Sequence, residues 1–273
     1  MIKLIACDID GTLLNSENQI TQKNIDIIDK VMKNNIIFVP TTGRTFSVLP
    51  EKIKNIFNLK YVIFSNGAVI FDLNKNKSIY KNCISKEIVI EIMNYLKKYD
   101  IAIEIYTSGK GYFLKEMLYK FNDYNIPKKF IEIYKKFKTP VENLSQIIEK
   151  NSDIEKIYIP WLNEHIKNKI LKDLRKYWSN KIYITSSLST NIEICANGTN
   201  KGNAVEYLSK NLNIKKDEIL VLGDNLNDLE MFKLGANSVA MGNAEKEIKE
   251  IANFITLTND ESGVAYAIEK FCF

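Results

Sequence analysis

Strands alternate with helices over the first eighty residues, cease to do so near residue 82, and resume from Lys201 to the end. The run KLIAC (3–7) reads as a buried strand, and TQKNIDIIDKVMK (21–33) has helical apolar spacing with Thr21 placed to cap its start. NIIFVP (35–40) is a second strand, 45–57 a helix, and YVIF (61–64) a third strand. Beyond Lys201 the pattern gives helix 202–211, strand 218–223, helix 226–234 and strand 237–242. Helix 245–251, a short strand 253–256 and a closing helix 262–270 follow. Alternation of this kind builds a parallel sheet with helices on both faces.

The middle of the chain has a different texture. SKEIVIEIMNYLKKY (85–99) is an amphipathic helix, and IAIEIY, the turn Ser108-Gly109 and GYFLK make a hairpin. A lysine-rich passage around 128–138, helix 141–150, the run IEKIYIP, helix 162–177 and strands near 181–186 and 190–195 follow. Helices grouped with hairpin-like strands predict an α+β insert. With 273 residues, two domains are the natural expectation. The predicted fold class is α/β: a Rossmann-like core, 1–82 and 190–273, interrupted by an inserted α+β domain, 83–189.

Charge and cysteine usage narrow the classes of function. Residues 83–189 hold 19 Lys and Arg against 13 Asp and Glu, so the insert carries more than the whole net charge of +5. A solvated lysine-rich surface accounts for this; a weak field that draws in anionic substrates is the functional alternative. Nucleic-acid binding is not expected, because the chain has no dense basic run interleaved with aromatics. No membrane association is expected either, since no stretch reaches the ~18 apolar residues of a span. The apolar run after Lys3 ends at Asp8, too early for a secretory signal. Cys7, Cys83, Cys195 and Cys272 are far apart, which suits reduced thiols in the cytoplasm rather than a disulfide frame.

Open parallel sheets gather active groups where strand ends meet at a switch in strand order. Four loops here leave strand ends with reactive residue types: DIDGT (8–12), TTGR (41–44), SNGA (65–68) and GDNLND (223–228). Lys201 opens a helix just after the insert. Asp8 and Asp10 are like charges at the end of a buried strand, costly unless a divalent cation offsets them. Mg²⁺ takes one or two carboxylates plus water and substrate oxygens, and Asp224 and Asp228 supply further acids from another strand end. Thr42 and Lys201 offer the donor and the positive charge that a transferring phosphoryl group needs. Gly11, Gly43 and Gly67 fit close backbone approach to a phosphate, or simple turns. For Asp8 and Asp10 alone, a cap or turn role is as good an account; the three other loops tip the balance.

DIDGTLL, TTGR, the Lys201-Gly202 pair and GDNLND, in this order and spacing, resemble the haloacid dehalogenase-like superfamily. The large insert between the second and third motifs resembles its Cof-type phosphatases with a type IIB α/β cap, as do SNGA and the tail SVAMGNA…GVAYAIEKF. The resemblance implies a Mg²⁺-dependent phosphatase acting on a small phosphorylated metabolite, a sugar phosphate or similar monoester. It further implies Asp8 as nucleophile and Asp10 as acid and then base. The metal would be held by Asp8, the main-chain carbonyl of Asp10 and Asp224, with Asp228 in support. Thr42, Gly43 and Lys201 would serve the phosphoryl group, Asn227 would touch it or orient Asp8, and Arg44 and Asn66 would contact the substrate. Asn225 departs mildly from the small residue that the last motif often carries.

Two alternatives keep the same residues: a phosphomutase, and a signalling module phosphorylated on aspartate, although receiver domains are smaller and lack an insert. A catalytically idle binding protein is the third. The remaining candidates have plain readings. His165 is structural or solvated, Tyr106, Tyr112 and Phe113 pack the insert, and Glu193 either steadies Lys201 or ends a strand. A monomer or weak homo-oligomer is expected, since no long heptad pattern is present.

Overall fold

The computed structural model describes residues 1–56, 58–124, 126–234 and 237–273. They form two compact units: Met1–Gly43, Pro50–Tyr80 and Asn200–Phe273 in the first, Arg44–Leu49 and Lys81–Thr199 in the second.

The chain begins with β1 (Leu4–Asp8), α1 (Gln22–Lys33), β2 (Ile37–Thr41), α2 (Glu51–Lys54), β3 (Tyr61–Phe64), β4 (Val69–Asp72) and β5 (Lys77–Lys81). Thr21 caps α1 as expected, its Oγ1 accepting from the Asn24 N–H at 3.3 Å. The helix expected over 45–57 is not continuous: a single 3₁₀ turn, Phe46–Val48, precedes α2. The cause is Pro50, which pushes Leu49 into extended backbone at φ −61, ψ 134; Phe57 lies outside the described residues.

The second unit runs α3 (Lys86–Leu96), β6 (Glu104–Thr107), β7 (Lys110–Leu114), α4 (Lys128–Phe137), β8 (Lys138–Val141), α5 (Leu144–Lys150), β9 (Ile154–Ile159), α6 (Glu164–Trp178), β10 (Ile182–Thr185) and β11 (Ile192–Ala196). Its six strands lie in the order β10-β11-β9-β6-β7-β8. The apolar face of that sheet, with Ile105, Ile157 and Ile194, packs on Val89 and Ile92 of α3 and Ile170 and Leu174 of α6. Tyr106 and Phe113 are buried, and His165 sits in the first turn of α6. Residues 190–199, assigned on sequence to the first domain, belong here instead. Strand β11 spends both edges on antiparallel pairing with β10 and β9, which fixes it in the second sheet. Glu193 on β11 pairs with Lys156 at 2.5 Å.

The first unit closes with α7 (Lys201–Asn211), β12 (Ile219–Gly223), α8 (Leu229–Phe232), β13 (Asn237–Ala240), α9 (Lys246–Ile251), β14 (Phe254–Ile255) and α10 (Gly263–Cys272). A 3₁₀ turn, Leu226–Asp228, begins the segment expected as one helix over 226–234. The eight strands lie in the order β14-β13-β12-β1-β2-β3-β4-β5. They pair in parallel from β14 to β3, and β4 then runs antiparallel to β3. Every residue of β1 and β12 is buried, as a strand covered on both faces requires. From β1 the chain crosses to β2 on one side, whereas β12, β13 and β14 succeed one another on the other. Right-handed crossovers therefore put α1 on one face and α8 and α9 on the opposite one. Accordingly α10 packs on α1, and α8 on α7 and α9. The switch in direction falls between β1 and β12. There the fold positions its site.

Candidate active site

Asp8 is the last residue of β1, in register with Thr41 of β2, and Cys7 before it is in register with Leu222 of β12. Asp224 follows β12 directly. Two strands that belong together at the switch point thus deliver one carboxylate each to the same end of the sheet.

The chain leaves Asp8 through a tight turn. Asp10 at φ −80, ψ 121 and Gly11 at φ 77, ψ −2 have the angles of the two central residues of a type II turn. Only glycine adopts the second position without strain. Gly11 is needed for a further reason: a Cβ there would lie 2.4 Å from Asp224 Oδ2. The backbone of the first acidic loop is packed directly on the carboxylate of the last.

Asp8, Asp224 and Asp228 offer carboxylate oxygens within 4.8 Å of one another. The Asp10 carboxylate is not in that group; it stands exposed at the corner of the turn. Lys201 is fully buried, and its Nζ donates to Asp8 Oδ1 at 2.5 Å and Asp228 Oδ1 at 2.6 Å. Asp228 Oδ2 in turn accepts from the Asp224 and Asn225 N–H groups at 3.0 and 3.1 Å. Both oxygens of Asp228 are therefore committed, one to the lysine and one to the loop that carries Asp224.

The electrostatics follow from that crowding. Burial, then the charge of Asp228, raises the Asp8 carboxyl well above its ordinary range, against the pull of Lys201. Burial and Asp228 push Asp224 up to about 7, with the Thr12 hydrogen bond opposing them. For Lys201, burial works against the ammonium, but Asp228 and Asp8 outweigh it and hold the group protonated. Three carboxylates against one ammonium leave an excess of negative charge in the cluster. An all-oxygen donor set of this charge suits a hard divalent cation such as Mg²⁺. Burial and Asp8 likewise push the Cys7 thiol up, which makes a redox role for it unattractive.

The other expected residues are placed as follows. Thr42 is buried just beyond β2; its N–H donates to the Ile63 carbonyl at 2.9 Å and its carbonyl accepts from the Asn66 N–H at 3.0 Å. Gly43 packs on the Asn66 side chain, where a Cβ would come within 2.6 Å of Oδ1. Asn66 is buried with a left-handed φ of 58, and Asn227 Nδ2 approaches its Oδ1 at 3.5 Å. The loops after β2, β3 and β12 are thereby tied together. Arg44 belongs to the second unit, where Nη1 donates to the Val48 carbonyl at 3.3 Å. Thr12 has no role legible in the sequence, yet its Oγ1 donates to Asp224 Oδ1 at 2.8 Å. A hydroxyl directly after Gly11 was the available signal.

The chain matches haloacid dehalogenase-like hydrolases over residues 5–268, and it belongs to that family. It is 30% identical to the phosphatase YwpJ of Bacillus subtilis (strain 168), over 98% of this chain and 99% of that protein. It is 31% identical to the 5-amino-6-(5-phospho-D-ribitylamino)uracil phosphatase YcsE of the same organism, over 99% of this chain and 96% of that one. Among solved structures, a haloacid dehalogenase-like hydrolase from B. subtilis superposes with a TM-score of 0.85 at 30% identity, covering 99% of this chain and 100% of the other. The chain is thus a hydrolase of this family, on the branch whose relatives are phosphatases. No helix among the described residues is long and apolar enough to cross a membrane.

Proposed function

We propose that the protein is a Mg²⁺-dependent phosphatase that hydrolyses a small phosphorylated metabolite through an aspartyl-phosphate on Asp8. The observation that carries this reading is the bond between Lys201 Nζ and Asp8 Oδ1, 2.5 Å long, beside Asp224. It fixes a carboxylate at a strand end with positive charge already in place for phosphoryl oxygens. Asp8 and Asp224, with the main-chain carbonyl of Asp10, would hold the metal, and Asp228 would support it through Lys201 and the Asp224 loop. Bound there, Mg²⁺ would neutralise charge on the phosphoryl group.

The residues then divide the work. One Asp8 oxygen attacks phosphorus and forms the acyl phosphate while the P–O bond to the alcohol breaks. Asp10 gives its proton to the departing alkoxide. In the second half, water attacks the same phosphorus and passes its proton to Asp10, which frees phosphate and restores the Asp8 carboxylate. Thr42, Gly43 and Asn227 would bind phosphoryl oxygens, and Asn66 the substrate. The YcsE relative is named for a phosphorylated ribityl compound, which supports a sugar phosphate or similar monoester. Four free cysteines fit a reducing, cytoplasmic setting. One chain supplies all the proposed residues, so a monomer or weak homo-oligomer suffices.

The test is turnover of p-nitrophenyl phosphate, then of a panel of phosphorylated metabolites, with and without Mg²⁺. Many turnovers per chain that stop with EDTA and return with Mg²⁺ are expected. A single stoichiometric phosphorylation, or activity indifferent to EDTA, would overturn the reading.

A further inference from the structure

Asp224 follows β12, and its main chain is held twice. Its N–H donates to Asp228 Oδ2 at 3.0 Å, and its carbonyl accepts from the Glu245 N–H at 2.9 Å. Neither bond fixes the side chain, because an aspartate carboxylate turns about its last bond with only broad preferences. A carboxylate offered to Mg²⁺ has to keep one direction, since that ion demands near-octahedral ligand geometry.

The loop after β1 supplies the restraint. Thr12 is fully buried, and its Oγ1 gives its single proton to Asp224 Oδ1 at 2.8 Å. The neighbouring Gly11 packs on the other oxygen: a Cβ there would lie 2.4 Å from Oδ2. One oxygen of Asp224 is therefore bonded and the other is walled by backbone. Threonine suits the task, because its branched Cβ leaves few rotamers and aims the hydroxyl at little entropic cost. The bond is not needed to join the two loops. Asn243 Nδ2 already donates to the Gly11 carbonyl at 2.8 Å from the same stretch that binds the Asp224 carbonyl. What Thr12 adds is the direction of the carboxylate.

We propose that Thr12 is a positioning residue: its hydroxyl holds the Asp224 carboxylate in the direction that a divalent cation beside Asp8 requires. The role rests on the metal-dependent reading above, and it reaches the reaction only through Asp224. A packing role would depend on the volume of the side chain, whereas this one depends on the hydroxyl.

The experiment uses two pairs of proteins that differ chiefly by one hydroxyl: wild type with Thr12→Val, and Thr12→Ser with Thr12→Ala. It measures Mg²⁺ affinity by calorimetry on metal-free protein, folding by circular dichroism, and turnover of p-nitrophenyl phosphate as Mg²⁺ is titrated. In each pair the protein without the hydroxyl is expected to bind Mg²⁺ at least about tenfold more weakly, the scale seen when a group that orients a metal ligand is removed. The Mg²⁺ concentration for half-maximal turnover should rise in the same proportion, with KM for the ester near wild type. Thr12→Ser, which keeps the hydroxyl, is expected to stay well above Thr12→Val in Mg²⁺ affinity. Wild-type Mg²⁺ affinity in Thr12→Val would overturn the role of Thr12 while leaving the phosphatase reading intact. So would a loss in Thr12→Ser equal to that in Thr12→Val. Should Thr12→Val fail to fold, the Thr12→Ser and Thr12→Ala pair decides by the same criterion. A wild type that neither binds Mg²⁺ nor turns over would overturn both.

Discussion

Between Asp8 and Asp228 stands the ammonium of Lys201, fully buried and bonded to each. Lys201→Met would fill the space but leave buried carboxylates facing one another. Breaking a buried pair in this way costs about 3–5 kcal/mol, so urea unfolding in EDTA is expected to show a loss of that order together with a collapse of kcat. Gly11 is constrained twice, by its φ of 77 and by the Asp224 carboxylate against its Cα. Gly11→Ala is expected to cost at least about 1–2 kcal/mol for the backbone alone and to weaken Mg²⁺ binding measured by calorimetry. Most of these residues were legible in the sequence because each follows a strand directly and strand ends are easy to read. Thr12 was not. Its role exists only once β12 is brought beside β1, and a hydrogen bond over such a separation leaves no local pattern.

Elements were legible where apolar periodicity and capping agreed. Thr21 and α1 are the clear case, and Thr21→Ala is expected to cost about 1 kcal/mol of stability by urea titration, somewhat more because Oγ1 also meets Ser262 Oγ at 2.9 Å. Failures came where one residue overrode the pattern. Pro50 broke a helix that spacing alone supports over 45–57. Strand β8, KTPV, carries a proline and lies at the edge of its sheet, where the missing N–H breaks no ladder bond. Helix α4, KKFIEIYKKF, has its apolar positions interleaved with lysines and read as surface texture. The strand at 190–195 reads with the insert by its texture, but a boundary at 190 cuts it off, because a buried strand of isoleucines fits either sheet; only the antiparallel partners of β11 decide.

At the scale of the molecule, the acidic cluster makes stability depend on pH and metal. The folded chain holds a proton on Asp224 up to about pH 7, whereas the unfolded chain releases it near the ordinary aspartate value of about 4. Between those limits the folded state binds more protons, so metal-free stability is expected to fall as pH rises through the window. Melting temperatures should show this fall in wild type and its reduction in Asp224→Asn. On the proposed function, Mg²⁺ would compete with that proton, so its stabilising effect should grow over the same window, reaching about 2.7 kcal/mol at a hundred times its dissociation constant. The central claim is that Asp8 takes the phosphoryl group. Turnover of p-nitrophenyl phosphate by Asp8→Asn, with folding checked by circular dichroism, tests it most directly. A loss of at least about a thousandfold in kcat with the fold intact is predicted; activity within about tenfold of wild type would contradict it.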